Sequence, residues 1–252
     1  MFVLRILVNA VIMGLEIAAV VAVSWLGYRH PYWFAALTAL LAFLLGARLE
    51  VARLRNELKF YFDRPISSGA IGVYLVAAAE SVVKGLLGGL VALLTFAGTN
   101  NERLYWVAIV FGLVTYAGSA LLRRLAISFK AVPSRWGYFR LAPPLGLLFA
   151  IGIGVLVAAK LVPDVTLGDI GRHIVFQLPD KPNIDQVSEL LFLLKQYADG
   201  VIVAVLSAVV GKEWATPIGL VVSVNALTGF IAAIYALIIA EVVVKLEDWW
   251  LR

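Results

Sequence analysis

The chain has no cysteine and two histidines, His30 and His173, which are far apart in sequence. Disulfides, thiolate nucleophiles and the usual Cys/His zinc or iron–sulfur sets are thereby ruled out as the basis of its fold or chemistry. Charge is also scarce. Asp, Glu, Lys and Arg make up 15% of the 252 residues, against about 25% in an ordinary soluble domain. The sequence contains no HExxH, GxSxG, P-loop or GxGxxG pattern, so the signatures of metal-dependent, serine-based and nucleotide-driven catalysis are missing. No aspartate falls inside a crossing block, and Asp199 is the only one that an extended seventh block would take in. Asp164, Asp169, Asp180 and Asp185 share one long connection, away from the basic segments. The expectation is a non-enzyme with no cofactor, no catalytic residues and no metal site.

What the chain does have is apolar sequence, which accounts for 62% of its residues and a mean hydropathy of +0.95. This predicts an all-α integral membrane protein. A helix crossing about 30 Å of hydrocarbon needs roughly 20 apolar residues. Six blocks qualify as crossings: 3–26, 32–48, 69–98, 104–122, 143–162 and 216–244. Together they predict one transmembrane domain over 1–252, a polytopic bundle of six helices with interfacial amphipathic helices added. In the first block an apolar run follows Arg5 but is too long for a signal-peptide core and lacks an A-x-A-like site, so the block reads as a retained span.

Lys and Arg set the expected orientation. Segment 47–68 carries Arg48, Arg53, Arg55, Lys59 and Arg64, and segment 123–144 carries Arg123, Arg124, Lys130, Arg135 and Arg140. Both read as cytoplasmic under the positive-inside bias, which puts both termini in the cytoplasm of an inner or plasma membrane. The net charge of +5 is spent beside apolar blocks, so the expected partners are the lipid bilayer and copies of this chain or other membrane subunits, and not nucleic acid. Tyr32–Trp33, Tyr105–Trp106 and Trp249–Trp250 read as interfacial anchors.

Residues 163–211 form the predicted outer, interfacial segment. Within it, Asn183 after Pro182 is a helix cap, with Gln186 three residues on and an apolar stripe of Ile184, Val187, Leu190, Leu191 and Leu194. The apolar run 200–211 is too short to cross alone. Extended back to 188 it makes a seventh span possible, carrying Lys195 and Asp199 into the membrane.

The polar residues inside apolar blocks are the candidate functional groups. Glu80 and Lys84 are four residues apart in block three, an arrangement that predicts a pair on one helix face. Ser81, Gly85 and Gly89 repeat at the same spacing, a small-residue ridge for close packing, and block three reads as the central helix. Arg5, Asn9 and Glu16 recur along one side of block one, while Ser223, Asn225 and Thr228 mark block six. Ionisable residues inside a membrane usually face the bundle interior or water. Glu80, Lys84, Glu16 and Asn225 are therefore the expected transport or gating groups of a channel or transporter component for a proton, ion or small polar solute. The competing expectation is a non-catalytic assembly subunit of a larger membrane complex.

Overall fold

The structure is a computed structural model that describes residues 2–61, 71–96, 101–161, 184–211, 215, 219 and 224–251. Among these residues every regular element is an α-helix, and no strand occurs. In chain order the helices are α1 (Phe2–Arg29), α2 (Pro31–Tyr61), α3 (Ile71–Thr95), α4 (Asn101–Phe129), α5 (Pro133–Arg140), α6 (Ala142–Ala158), α7 (Ile184–Val210) and α8 (Val224–Leu251). Five of them, α1 to α4 and α8, contain stretches long and apolar enough to cross a membrane. The pair α5–α6 makes a sixth if it is taken as one span bent by 60°. Five of the six expected blocks thus each match a candidate crossing, while block 143–162 matches α6, which qualifies only together with α5 from the stretch read as cytoplasmic.

The helices overrun the apolar blocks at several ends. α2 continues unbroken through 47–61, and α4 continues to Phe129, both into stretches read from sequence as cytoplasmic connections. α8 runs to Leu251, beyond the expected end at 244. α7 is one continuous helix starting at Ile184, directly after the expected cap, whose own residue lies outside those described. Only its part Tyr197–Val209 is strongly apolar, and that part is shorter than a crossing requires. The break between α5 and α6 has a direct cause. Pro143 and Pro144 in the first turn of α6 lack N–H donors and cannot continue the preceding helix.

α8 is the axis of the bundle. Its run Ile231–Leu237 is at most 4% exposed at every position, so this helix is covered on all sides. α3, expected to be central, instead buries one stripe, namely Val73, Ala77, Ser81, Gly85, Gly88, Ala92 and Thr95. Leu75, Val82, Val83, Leu86 and Leu87, on its remaining faces, are exposed. α1 likewise exposes Ile6, Leu7, Val11, Leu15, Val21 and Trp25. Apolar faces of this extent suggest a membrane location. At the centre, Phe34 meets Phe96 edge-on at 5.0 Å and stacks on Tyr235 at 5.3 Å, with Phe111 closing the cluster. The Tyr235 and Thr38 hydroxyls bond at 2.9 Å, which satisfies two polar groups within this aromatic core.

Small residues decide which helices touch. The ridge Ser81–Gly85–Gly89 lies against α2: a Cβ at Gly85 would stand 3.1 Å from the Ala39 carbonyl, and one at Gly89 would stand 2.9 Å from the Ala39 methyl. α6 and α8 cross where Gly146 meets the Ala226 backbone and Gly229 meets the backbone of Ala142 and Gly146, contacts that leave no room for a side chain. Gly14 on α1 has nothing within 4 Å of its Cβ position. Gly229→Leu is expected to cost at least about 3 kcal/mol, because backbone rather than a flexible side chain stands in the way. Gly14→Ala should be neutral or gain up to about 1 kcal/mol from its better helix propensity. Reversible unfolding in mixed detergent micelles measures both.

Candidate functional site

Glu80 and Lys84 do not pair with each other. Both reach across to α2, whose overrun beyond the apolar block brings Glu50, Arg53 and Glu57 onto one face at three- and four-residue steps. Lys84 Nζ donates to Glu50 Oε1. Arg53 donates from Nη2 to Glu80 Oε2 at 2.9 Å, and its Nε stands 3.1 Å from Glu50 Oε2 and 3.3 Å from Glu57 Oε1. Glu50 is wholly buried, whereas Arg53, Lys84 and Glu80 keep about a third of their side-chain surface exposed (31%, 29% and 35%). α5 covers this network with rings: Lys84 Nζ lies 5.3 Å from the Tyr138 centroid, and Arg53 lies 5.8 Å from that of Phe139. Tyr138 comes this close because Gly46 on α2 has no side chain. A Cβ there would be 2.8 Å from the Tyr138 hydroxyl.

Glu16 belongs to a second network. It is 1% exposed, accepts from Ser119 Oγ at 2.6 Å and Arg123 Nη1 at 3.0 Å, and so ties α1 to α4. Arg123 Nε stands 3.2 Å from Glu247 Oε1, which extends the network to the axial helix α8. Asn9, expected on the same side as Glu16, is exposed. The Arg5 side chain lies outside those described.

Asn225 lies in a third place, donating from Nδ2 to Asp199 Oδ2 at 3.2 Å and so linking α8 to α7. Ser223 is outside the described residues, and Thr228 shares a 2.9 Å bond with Thr95. One turn before Asp199, Lys195 is 9% exposed. Burial pushes its amine down to about 8, with Asp199 pulling the other way and Arg103 adding to the depression. Lys195 lies outside the helices counted as long and apolar enough to cross.

The four residues singled out from sequence thus fall in three separate places. Sequence reasoning missed Glu50, Arg53, Arg123 and Ser119 as their partners, and Glu247 as the further partner of Arg123. The spacing Glu50–Arg53–Glu57 was a usable signal, since helical geometry puts all three on the face that Glu80 and Lys84 needed. A groove of about 690 Å³ runs between α1 and α4, lined by Ile17, Val20, Trp25, Tyr28, Ile109 and Leu113 among others, and none of the candidate charges lines it. Among the described residues, no group of three or more His, Cys, Asp or Glu is arranged to hold a metal ion. Comparison with protein-family models, curated proteins and solved structures finds no match to this chain.

Removing one partner of a buried ion pair leaves the other charge uncompensated. Lys84→Met should therefore destabilise the fold by about 3 kcal/mol, and adding Glu50→Gln should restore more than half of that loss, as read in a double-mutant cycle. Lys195 gives a second test. Below pH 8 it carries its proton in both folded and unfolded chains, and the folded chain bears the whole desolvation cost. Between about 8 and the ordinary 10.5 the folded chain sheds the proton first. Stability should accordingly rise with pH across that window, and the rise should shrink in Lys195→Met when denaturation midpoints are compared.

Proposed function

We propose that this chain is an integral membrane protein acting as a channel or transporter component, moving a proton, ion or small polar solute through the interior of its helix bundle. The observation that carries this reading is that Glu16 and Glu50, at 1% and 0% exposure, lie in helices otherwise apolar enough to cross a bilayer. A charge in a crossing helix costs up to about 2.5–3.5 kcal/mol on an insertion scale, the full cost applying only at the bilayer centre, and ionisable residues within such helices are by default functional. The Glu50–Lys84–Arg53–Glu80 network and the Glu16–Arg123–Glu247 network are the proposed route or gate, with the Asn225–Asp199 pair as a further polar station. Counting α5–α6 as one bent span gives an even number of crossings. Both termini then lie in the cytoplasm with the basic stretches at the ends of α2 and α4.

A second reading, a non-catalytic subunit of a larger membrane assembly, draws support from the apolar groove between α1 and α4 and from the exposed apolar face of α3. The ridge Ser81–Gly85–Gly89 no longer supports it, because α2 of the same chain occupies that ridge.

Protein reconstituted in liposomes should pass protons or small ions. Flux should fall at least tenfold in Glu16→Gln and in Lys84→Met once incorporation is matched. A silent wild type, or wild-type flux in both variants, rules the transport reading out. Isolation from native membranes in a mild detergent separates the second reading: stoichiometric partner chains favour it, and recovery as a bare monomer counts against it.

A further inference from the structure

The network around Arg123 has more acid than base. Glu16 on α1 and Glu247 on α8 converge on a single guanidinium, and the charged groups acting on Glu247 are Arg123, Glu16 and Asp248. Among the described residues no further cation is ion-paired with either acid. Arg124, Arg48 and Arg140 are exposed, and Lys245 is engaged with Glu241 at 3.1 Å. Of the two carboxylates, Glu16 already accepts from both Ser119 and Arg123. Glu247, with a side chain 13% exposed, has Arg123 Nε as its one ion-pair partner among the described residues. Beside them is a polar group with nothing to do. Thr115 Oγ1 is fully buried and lacks a hydrogen-bond partner among the described residues. Thr115, Ser119 and Arg123 follow one another at four-residue steps on α4, so the idle hydroxyl lies one turn from the Ser119–Glu16 bond on the same stripe.

We infer that the Glu16–Arg123–Glu247 network is a proton-binding site, holding one exchangeable proton on Glu247. This rests on the transport reading above and names the species carried. Two carboxylates on one cation, Glu16 fully buried and Glu247 partly so, retain a net negative charge that a proton or a cation would neutralise. A metal cation lacks the ligands, since no suitable acid or histidine cluster is present among the described residues. A proton needs only one carboxylate oxygen. It arrives from bulk water, converts the Glu247 carboxylate to a carboxylic acid and leaves by the reverse step, with no other bond made or broken. Thr115, able both to donate and to accept, is the next hydroxyl along the stripe to receive it or a water that carries it.

Infrared difference spectroscopy of the full chain in lipid nanodiscs tests this directly. The folded wild type should show a protonated-carboxyl carbonyl band that shifts in heavy water. Glu247→Gln should abolish that band, and Glu247→Asp should keep it with a titration midpoint displaced by about half a pH unit or more. Thr115→Val should leave the band in place and slow its exchange at least threefold. Absence of the band in wild type, or its persistence in Glu247→Gln, overturns the inference. If Glu247→Gln fails to fold, an undisplaced midpoint in Glu247→Asp overturns it equally. Proton flux without the band removes this site and leaves transport standing, whereas the band without flux keeps the site and removes transport.

Discussion

A charge surrounded by hydrocarbon or by packed apolar side chains has to be met by another polar group, and this requirement organises the bundle. For helices in lipid, apolar burial does little to decide which faces meet, because acyl chains are as apolar as leucine. Polar pairs and small residues have to make that choice. Glu50 draws Lys84 from α3 and Arg53 from its own helix, and the short residues of α3 let α2 come close enough for those bonds to form. Glu16 likewise joins α1 to α4, and through Arg123 it reaches the axis. Along the most buried part of that axis the polar content drops to one hydroxyl pair, Tyr235 with Thr38, which needs no ionised partner.

Much of the helical layout could be read from sequence, because runs of this length and hydropathy have one stable form wherever water is scarce. Glu16, Glu80 and Lys84 stood out for the same reason, as charges inside apolar blocks. Their partners did not. Glu50, Arg53 and Arg123 lie just past the ends of blocks, where a basic stretch reads as a solvated connection, yet the helices continue through and carry these residues back against their neighbours. The identity of the axial helix was also hidden. A helix covered by protein on every side and one that exposes an apolar face can be equally hydrophobic overall, so apolar content does not separate α8 from α3. The small-residue ridge was legible as a contact surface, but which helix would occupy it was not.

The two ionic networks are built differently. In the one between α2 and α3, Glu50, Glu57 and Glu80 face Arg53 and Lys84, with Glu57 nearly half exposed at 48%, so its buried part is close to neutral. Aromatic rings from α5 then shield the two cations from the side. The network around Arg123 has no such balance and no aromatic cover of that kind among the described contacts. Balanced and shielded, the first resembles a clasp. The second, among the described residues, sets two acids against one guanidinium.

The 60° turn between α5 and α6 sets a limit on depth. A helix that breaks frees backbone carbonyls and amides, and in pure hydrocarbon each unmet group costs several kcal/mol. Leu141 at the corner is buried, its carbonyl accepts from the Leu145 amide at 3.2 Å, and α5 beyond it leans on α8 through Gly137 and Leu237. Protein, not acyl tails, therefore backs the elbow. Any rocking of α6 would have to pivot there, prising Tyr138 and Phe139 off Lys84 and Arg53 as it moved.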